Sequence, residues 1–199
     1  MRMIAVAIAA AYATGVAGLG AEPIRITEDM LSKSFDLKGE AITIERTQDE
    51  AAGAQNCPPA CIQPAYVAEG VETVGELEVI AFLENTVASG KGLLLDSRMP
   101  DVFINGTIPG AVNVPYTTLD PENPYRKDIL KALGAKENGG NWNFDGAMEL
   151  TLFCAGPGCD QTAKSIASLS SAGYPAEKLH YYRGGIQVWQ MLGLNVAQP

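Results

Sequence analysis

The chain has 199 residues, 47% of them hydrophobic, which is enough for one well-cored domain with an appendage and tight for two full domains. Against 14 Lys and Arg stand 23 Asp and Glu, a formal charge of −9, and no basic run is longer than Arg126-Lys127. A balance of that sign repels nucleic-acid backbones and anionic membrane surfaces, so neither is expected as a partner.

Met1-Arg2-Met3 supplies a short positive start, residues 4–17 an almost uncharged Ala-rich stretch, and Gly18-Leu19-Gly20-Ala21 the small residues a signal peptidase requires before Glu22-Pro23. Residues 1–21 are therefore expected to be a cleaved secretory signal. The stretch is short and mildly apolar for a span of about 20 residues, so no membrane insertion of the mature chain is expected. The expected destination is the periplasm or the medium, where disulfides form and persist.

Residues 22–70 read as an N-terminal extension. Ala41-Ile42-Thr43-Ile44 has the pattern of a short strand, and residues 56–64 form a turn-rich segment with three prolines. Within it Cys57 and Cys61 enclose Pro58-Pro59-Ala60. They are a candidate local disulfide pinning the loop, with a redox-active or partner-facing pair as the other reading.

A regular alternation of elements fills residues 71–196. Leu77, Ile80, Ala81, Val87 and Ala88 recur at helical spacing until Ser89-Gly90 stops them. Leu93-Leu94-Leu95 is the apolar run of a strand covered on both faces, and it ends in Asp96-Ser97-Arg98. A turn at residues 106–110 leads to a short strand, Ala111-Val112-Asn113-Val114-Pro115. A helix is expected over residues 125–133 and a Gly/Asn-rich loop over 138–143. Leu150-Thr151-Leu152-Phe153 is the next buried strand; Ala163, Ile166, Ala167 and Leu169 then mark a helix with Gly173 as its C-cap. A strand over residues 179–182, a tight turn at Gly184-Gly185 and a helix over 186–192 close the pattern. Strands alternating with helices imply an α/β fold: a mostly parallel central sheet with helices on both faces.

The chemistry concentrates where the strand at residues 150–153 ends, in Cys154-Ala155-Gly156-Pro157-Gly158-Cys159-Asp160-Gln161-Thr162. A cysteine delivered there lies at the C-terminal edge of the sheet and at a helix N-terminus. Unpaired N–H groups and the helix dipole favour its thiolate, so Cys154 is the candidate nucleophile. Zinc is poorly supported, because neither cysteine pair has the two-residue knuckle spacing and the single histidine, His180, has no His or Cys neighbour in sequence. No metal ligand set and no cofactor are expected.

Three segments resemble the rhodanese family. They are Leu94-Leu95-Asp96-Ser97-Arg98, then Gly106-Thr107-Ile108-Pro109-Gly110-Ala111-Val112-Asn113-Val114-Pro115, and Tyr182-Arg183-Gly184-Gly185-Ile186-Gln187-Val188-Trp189, with Cys154 at the family's catalytic position. The loop is similar, more narrowly, to that of a secreted rhodanese-like subgroup with the pattern C-x-G-P-x-C-x-Q-[ST]. The resemblance implies a three-layer rhodanese-like sandwich over residues 71–196 and sulfur transfer. Cys154 would take the outer sulfur of a small donor, thiosulfate or a persulfide, and pass it to a thiol or other nucleophile, a periplasmic protein among the candidate acceptors. Ala155, Gly156, Gly158, Cys159 and Asp160 would cradle the sulfur through backbone N–H groups, with Pro157 removing one donor.

The loop also departs from the family's patterns. Phosphatases of this fold use Cys-x5-Arg, whereas Asp160 occupies the Arg position here, which argues against phosphatase activity. It carries no cation, which favours a persulfide over dianionic thiosulfate and makes Arg183 the candidate to supply the charge. Cys159 is a candidate resolving thiol, so a thiol-redox or non-catalytic binding module using the Cys154/Cys159 pair is the alternative function. Asp96 and Arg98 are expected in support, Asp96 as a loop-anchoring acceptor and Arg98 as a loop orienter or a structural ion pair.

Overall fold

The computed structural model describes residues 25–46, 62, 64 and 67–199; the expected signal at residues 1–21 and the Cys57/Cys61 pair lie outside the described residues. The chain divides into two compact units, residues 1–60 and 61–199.

In the first unit β1 (Ser32–Leu37) and β2 (Glu40–Glu45) form an antiparallel hairpin with Phe35 opposite Ile42 and Lys33 opposite Ile44. Its two-residue turn places Lys38 (φ 56°) and Gly39 (φ 88°) in the left-handed region, as a hairpin turn that matches strand twist requires. The Asp36 carboxylate accepts the Gly39 N–H at 2.9 Å. The sequence marks β2 but not its partner, because Ser-Lys-Ser-Phe-Asp-Leu is largely polar.

The second unit runs β3 (Glu72–Val74), α1 (Glu76–Phe82), β4 (Gly92–Asp96), α2 (Pro100–Phe103), β5 (Ala111–Asn113), α3 (Arg126–Ala132), β6 (Lys136–Asn138), β7 (Asn141–Asn143), β8 (Glu149–Phe153), α4 (Gln161–Ser171), β9 (Leu179–Tyr182) and α5 (Gly185–Met191). Five strands form one parallel sheet in the order β3-β9-β8-β4-β5. The apolar runs of β4 and β8 fall in its interior because both faces are covered. Leu94, Phe153 and Tyr182 pack on one face with Val79, Ile186 and Trp189; Leu95, Leu150 and Leu152 pack on the other with Leu130, Ile166 and Leu169. Each such leucine, buried completely, contributes about 1.5–3 kcal/mol. These layers are the expected α/β sandwich.

Differences from the sequence reading are local. Residues 138–143 are not a plain loop but the core of a hairpin, β6 paired with β7 through Gly139 (φ 58°) and Gly140 (φ 89°). The expected first helix is α1 followed by a wider turn over Leu83–Val87. At the end of α4, Gly173 (φ 92°) lets Tyr174 N–H reach back to Leu169 O at 3.1 Å, the expected glycine stop. No helix among the described residues is long and apolar enough to cross a membrane.

Candidate active site

Strand β8 carries Cys154 to the C-terminal edge of the sheet, beside the end of β4, where Ser97 N–H bonds Phe153 O at 2.9 Å. Cys154 is buried, Ala155 and Gly158 are exposed, and Cys159 is half-buried. Cys154 and Cys159 form a disulfide with their Cα atoms 6.4 Å apart. The turn between them is closed by Cys159 N–H donating to Gly156 O at 2.9 Å. One amide expected in the cradle, that of Cys159, is therefore already engaged, and Pro157 has none. The N–H groups of Ala155, Gly156, Gly158 and Asp160 have no acceptor among the described residues, and they stand immediately before α4. Backbone donors of this kind at a helix N-terminus can stabilise an anion without a side-chain cation.

The other wall is the start of α5. Ile186 N–H donates to Cys154 O at 3.1 Å and Gln187 N–H to Ala155 O at 2.9 Å, so the loop carbonyls cap the helix. Gly185 (φ 59°) sits directly against the loop: a Cβ there would run into Cys154 O and lie 2.7 Å from Gly156 N. A Cβ on Gly184 would lie 2.8 Å from the Tyr182 ring. These contacts explain the paired glycines physically: at Gly185 a side chain would stop the loop backbone from approaching, and at Gly184 it would meet the Tyr182 ring. Gln187 closes over buried Gly156, whose own Cβ would lie 3.1 Å from the Gln187 Cβ.

Asp96 and Arg98 do not join the loop. The Asp96 carboxylate, fully buried, accepts Arg98 Nη2 at 2.6 Å, Arg98 N–H at 3.0 Å and the Thr107 hydroxyl at 2.8 Å. Arg98 Nη2 also donates to Gly106 O at 2.7 Å, and Asn113 Nδ2 donates to the Asp96 and Arg98 carbonyls. Of the two sequence readings for Arg98, the structural ion pair is the one found; it fastens the end of β4 to the 106–110 turn and β5. Arg183 follows β9 directly; burial pushes the Tyr181 hydroxyl pKa up, with the Arg183 charge acting in the opposite direction.

The sequence reading looked beyond the loop for a cation only to Arg183 and missed Lys164. Its Nζ lies 2.7 Å from Asp160 Oδ2 and 5.4 Å from the Tyr116 ring centre. Asp160 raises the Lys164 pKa through this hydrogen bond, so the loop's one acid is neutralised by a cation one helical turn on. The i, i+4 spacing was the available signal.

Among solved structures the chain is similar to a protein of unknown function, possible tyrosine phosphatase, from Rhodopseudomonas palustris (21% identity over 66% of this chain and 88% of that one, TM-score 0.47). It is also similar to a thiosulfate sulfurtransferase from Pseudomonas aeruginosa (22%, 64% and 20%, TM-score 0.43) and to a human single-domain sulfurtransferase (23%, 61% and 96%, TM-score 0.41). No curated protein matches the chain. Residues 80–192, more than half of the sequence, match the rhodanese-like domain, and the match spans the end of β4, the Cys154 loop and the glycine pair that supports it. The chain belongs to the rhodanese-like family.

Proposed function

We propose that the protein is a sulfurtransferase that carries sulfane sulfur on Cys154. The observation that carries this reading is a cysteine at the C-terminal edge of the sheet that opens a loop whose N–H groups on Ala155, Gly156, Gly158 and Asp160 have no acceptor among the described residues. The reduced Cys154 thiolate attacks the outer sulfur of a persulfide R–S–SH; the S–S bond breaks, R–S⁻ leaves, and Cys154 holds the transferred sulfur as a persulfide. The loop amides stabilise the negative charge on that terminal sulfur as an oxyanion hole does for oxygen. A thiolate acceptor then takes the outer sulfur and Cys154 leaves as a thiolate.

Donor choice follows from the loop's charge. Asp160 and Lys164 cancel, so the loop offers amide dipoles and no net cation. A thiol persulfide with little charge suits such a loop better than dianionic thiosulfate. The same chemistry weighs against phosphoryl transfer: a carboxylate ion-paired to Lys164 stands where a Cys-x5-Arg loop would hold phosphate. The expected signal at residues 1–21 supports an exported protein.

The direct test is steady-state transfer from a small persulfide or thiosulfate to a thiol acceptor under reducing conditions. Wild type should turn over faster on the persulfide, and Cys154→Ser should have no activity. Equal activity in Cys154→Ser would refute the assignment.

A further inference from the structure

The nucleophile of the proposed transfer and a second cysteine share one short loop, and in this structure their sulfurs are bonded to each other. The turn that joins them is closed by the Cys159 N–H to Gly156 O bond, while β8 precedes Cys154 and α4 begins just after Asp160. Cys159 therefore reaches Cys154 with both flanking elements in place. A bridge over a sequence separation of 5 restricts the unfolded chain far less than a long-range bridge, so stapling is a weak reason for it. It also consumes the one thiol at the site's reactive position. Both points suit a bond that opens and closes during work.

We propose that the protein is a dithiol-dependent persulfide reductase, in which Cys159 resolves the Cys154 persulfide and releases sulfide; this rests on the reading that Cys154 accepts sulfane sulfur. Cys154–S⁻ attacks R–S–SH, giving Cys154–S–SH and R–S⁻. The Cys159 thiolate then attacks the Cys154 sulfur; the bond to the outer sulfur breaks, hydrosulfide leaves with the electron pair, and the Cys154–Cys159 disulfide forms. The thiol proton of Cys159 accompanies the leaving sulfide as hydrogen sulfide. An outside dithiol supplies two electrons and two protons to reopen the bond and becomes a disulfide. The sum is persulfide plus dithiol giving thiol, hydrogen sulfide and the dithiol's disulfide.

Geometry also assigns the direction of the reducing attack. Cys154 is 2% exposed and Cys159 is half-buried, so an incoming thiolate meets the Cys159 sulfur first. Cys154 is then the leaving thiolate, and the loop amides that have no acceptor among the described residues stabilise it as it departs. The mixed disulfide therefore forms on Cys159 and is cleared by the reductant's second thiol. The partner is a dithiol, small or protein-borne, whose second thiol clears the mixed disulfide intramolecularly, where a monothiol needs a second molecule.

The test is a single turnover of the reduced full chain, freed of reductant and given one equivalent of glutathione persulfide, read by released sulfide and by intact mass. Wild type should release one equivalent of sulfide and end two hydrogens lighter than the reduced chain. Cys159→Ser should keep a one-sulfur adduct, with sulfide at the background of Cys154→Ser, and dithiothreitol should make wild type catalytic. A stable one-sulfur adduct on wild type without sulfide release would overturn the resolving role while leaving sulfur transfer intact. No adduct on Cys159→Ser and no sulfide from wild type would instead overturn the transfer reading beneath it. The wild-type sulfide yield, with peptide mapping that places the new disulfide between Cys154 and Cys159 and not between Cys57 and Cys61, decides the matter even if a variant fails to fold.

Discussion

Strands β4 and β8 lie side by side and end together, Asp96 level with Phe153, yet the segments that leave them are built in opposite ways. After β4 the charged and amide side chains are engaged, Asp96 holding Arg98 and Thr107 and Asn113 the backbone on either side of Ser97, while the buried Ser97 hydroxyl has no partner among the described residues. After β8 four loop amides have no acceptor among the described residues, beside a cysteine bonded to the sulfur of Cys159. The buried Asp96–Arg98 pair and its bonds make the first segment a support, and amides without an acceptor among the described residues make the second a place where charge can develop. Mutations should separate the two.

The largest effect belongs to the support. Asp96→Ala leaves the Arg98 guanidinium buried without its carboxylate and should cost about 3–5 kcal/mol in urea unfolding. A loss below 1 kcal/mol would mean that Arg98 finds solvent and that the segment is less rigid than its bonds imply. Next comes the contact between loop and α5. Gly185→Ala forces a left-handed φ and a collision with the Cys154 carbonyl, a cost of roughly 3 kcal/mol in thermal or denaturant melts. Because the collision is with the loop itself, sulfur loading of Cys154 should fall more than stability does. Unchanged loading would uncouple the glycine pair from the reaction.

The smallest effect on stability, and the most selective one on chemistry, is expected from Asp160→Asn. Asp160 and Lys164 are largely exposed, with side chains 69% and 55% accessible, so the melt should not move. Freed Lys164 adds a positive charge beside the loop, and thiosulfate should gain on persulfide as donor. The Lys164 pKa, raised by Asp160, returns toward the ordinary lysine value and keeps the charge at neutral pH. An unchanged donor ratio would show that loop charge does not set donor choice.

What could be read from the sequence follows from what each signal reports. Leu93-Leu94-Leu95 and Leu150-Thr151-Leu152-Phe153 announce strands covered on both faces, and the structure buries them there. Gly173 and Gly185 do unusual backbone work, which gives them visible positions in the pattern. The β6/β7 hairpin was hidden because its strands are three residues each and polar, leaving only the Gly139-Gly140 turn as a sign. At the site Cys154 and Cys159 were legible from position and spacing. Lys164 was passed over in favour of Arg183, although its i, i+4 spacing from Asp160 is readable, and the Cys159 amide's turn bond depends on a curl that composition does not reveal.

Sulfur transfer by this loop requires the Cys154 Sγ to be the atom that carries sulfur. The most direct test is peptide mapping by mass after the fully reduced Cys159→Ser chain has met a small persulfide. A single sulfur added to the peptide containing Cys154, and absent when Cys154 is also changed to Ser, is the predicted result. Sulfur on another residue, or none on Cys154, would contradict it.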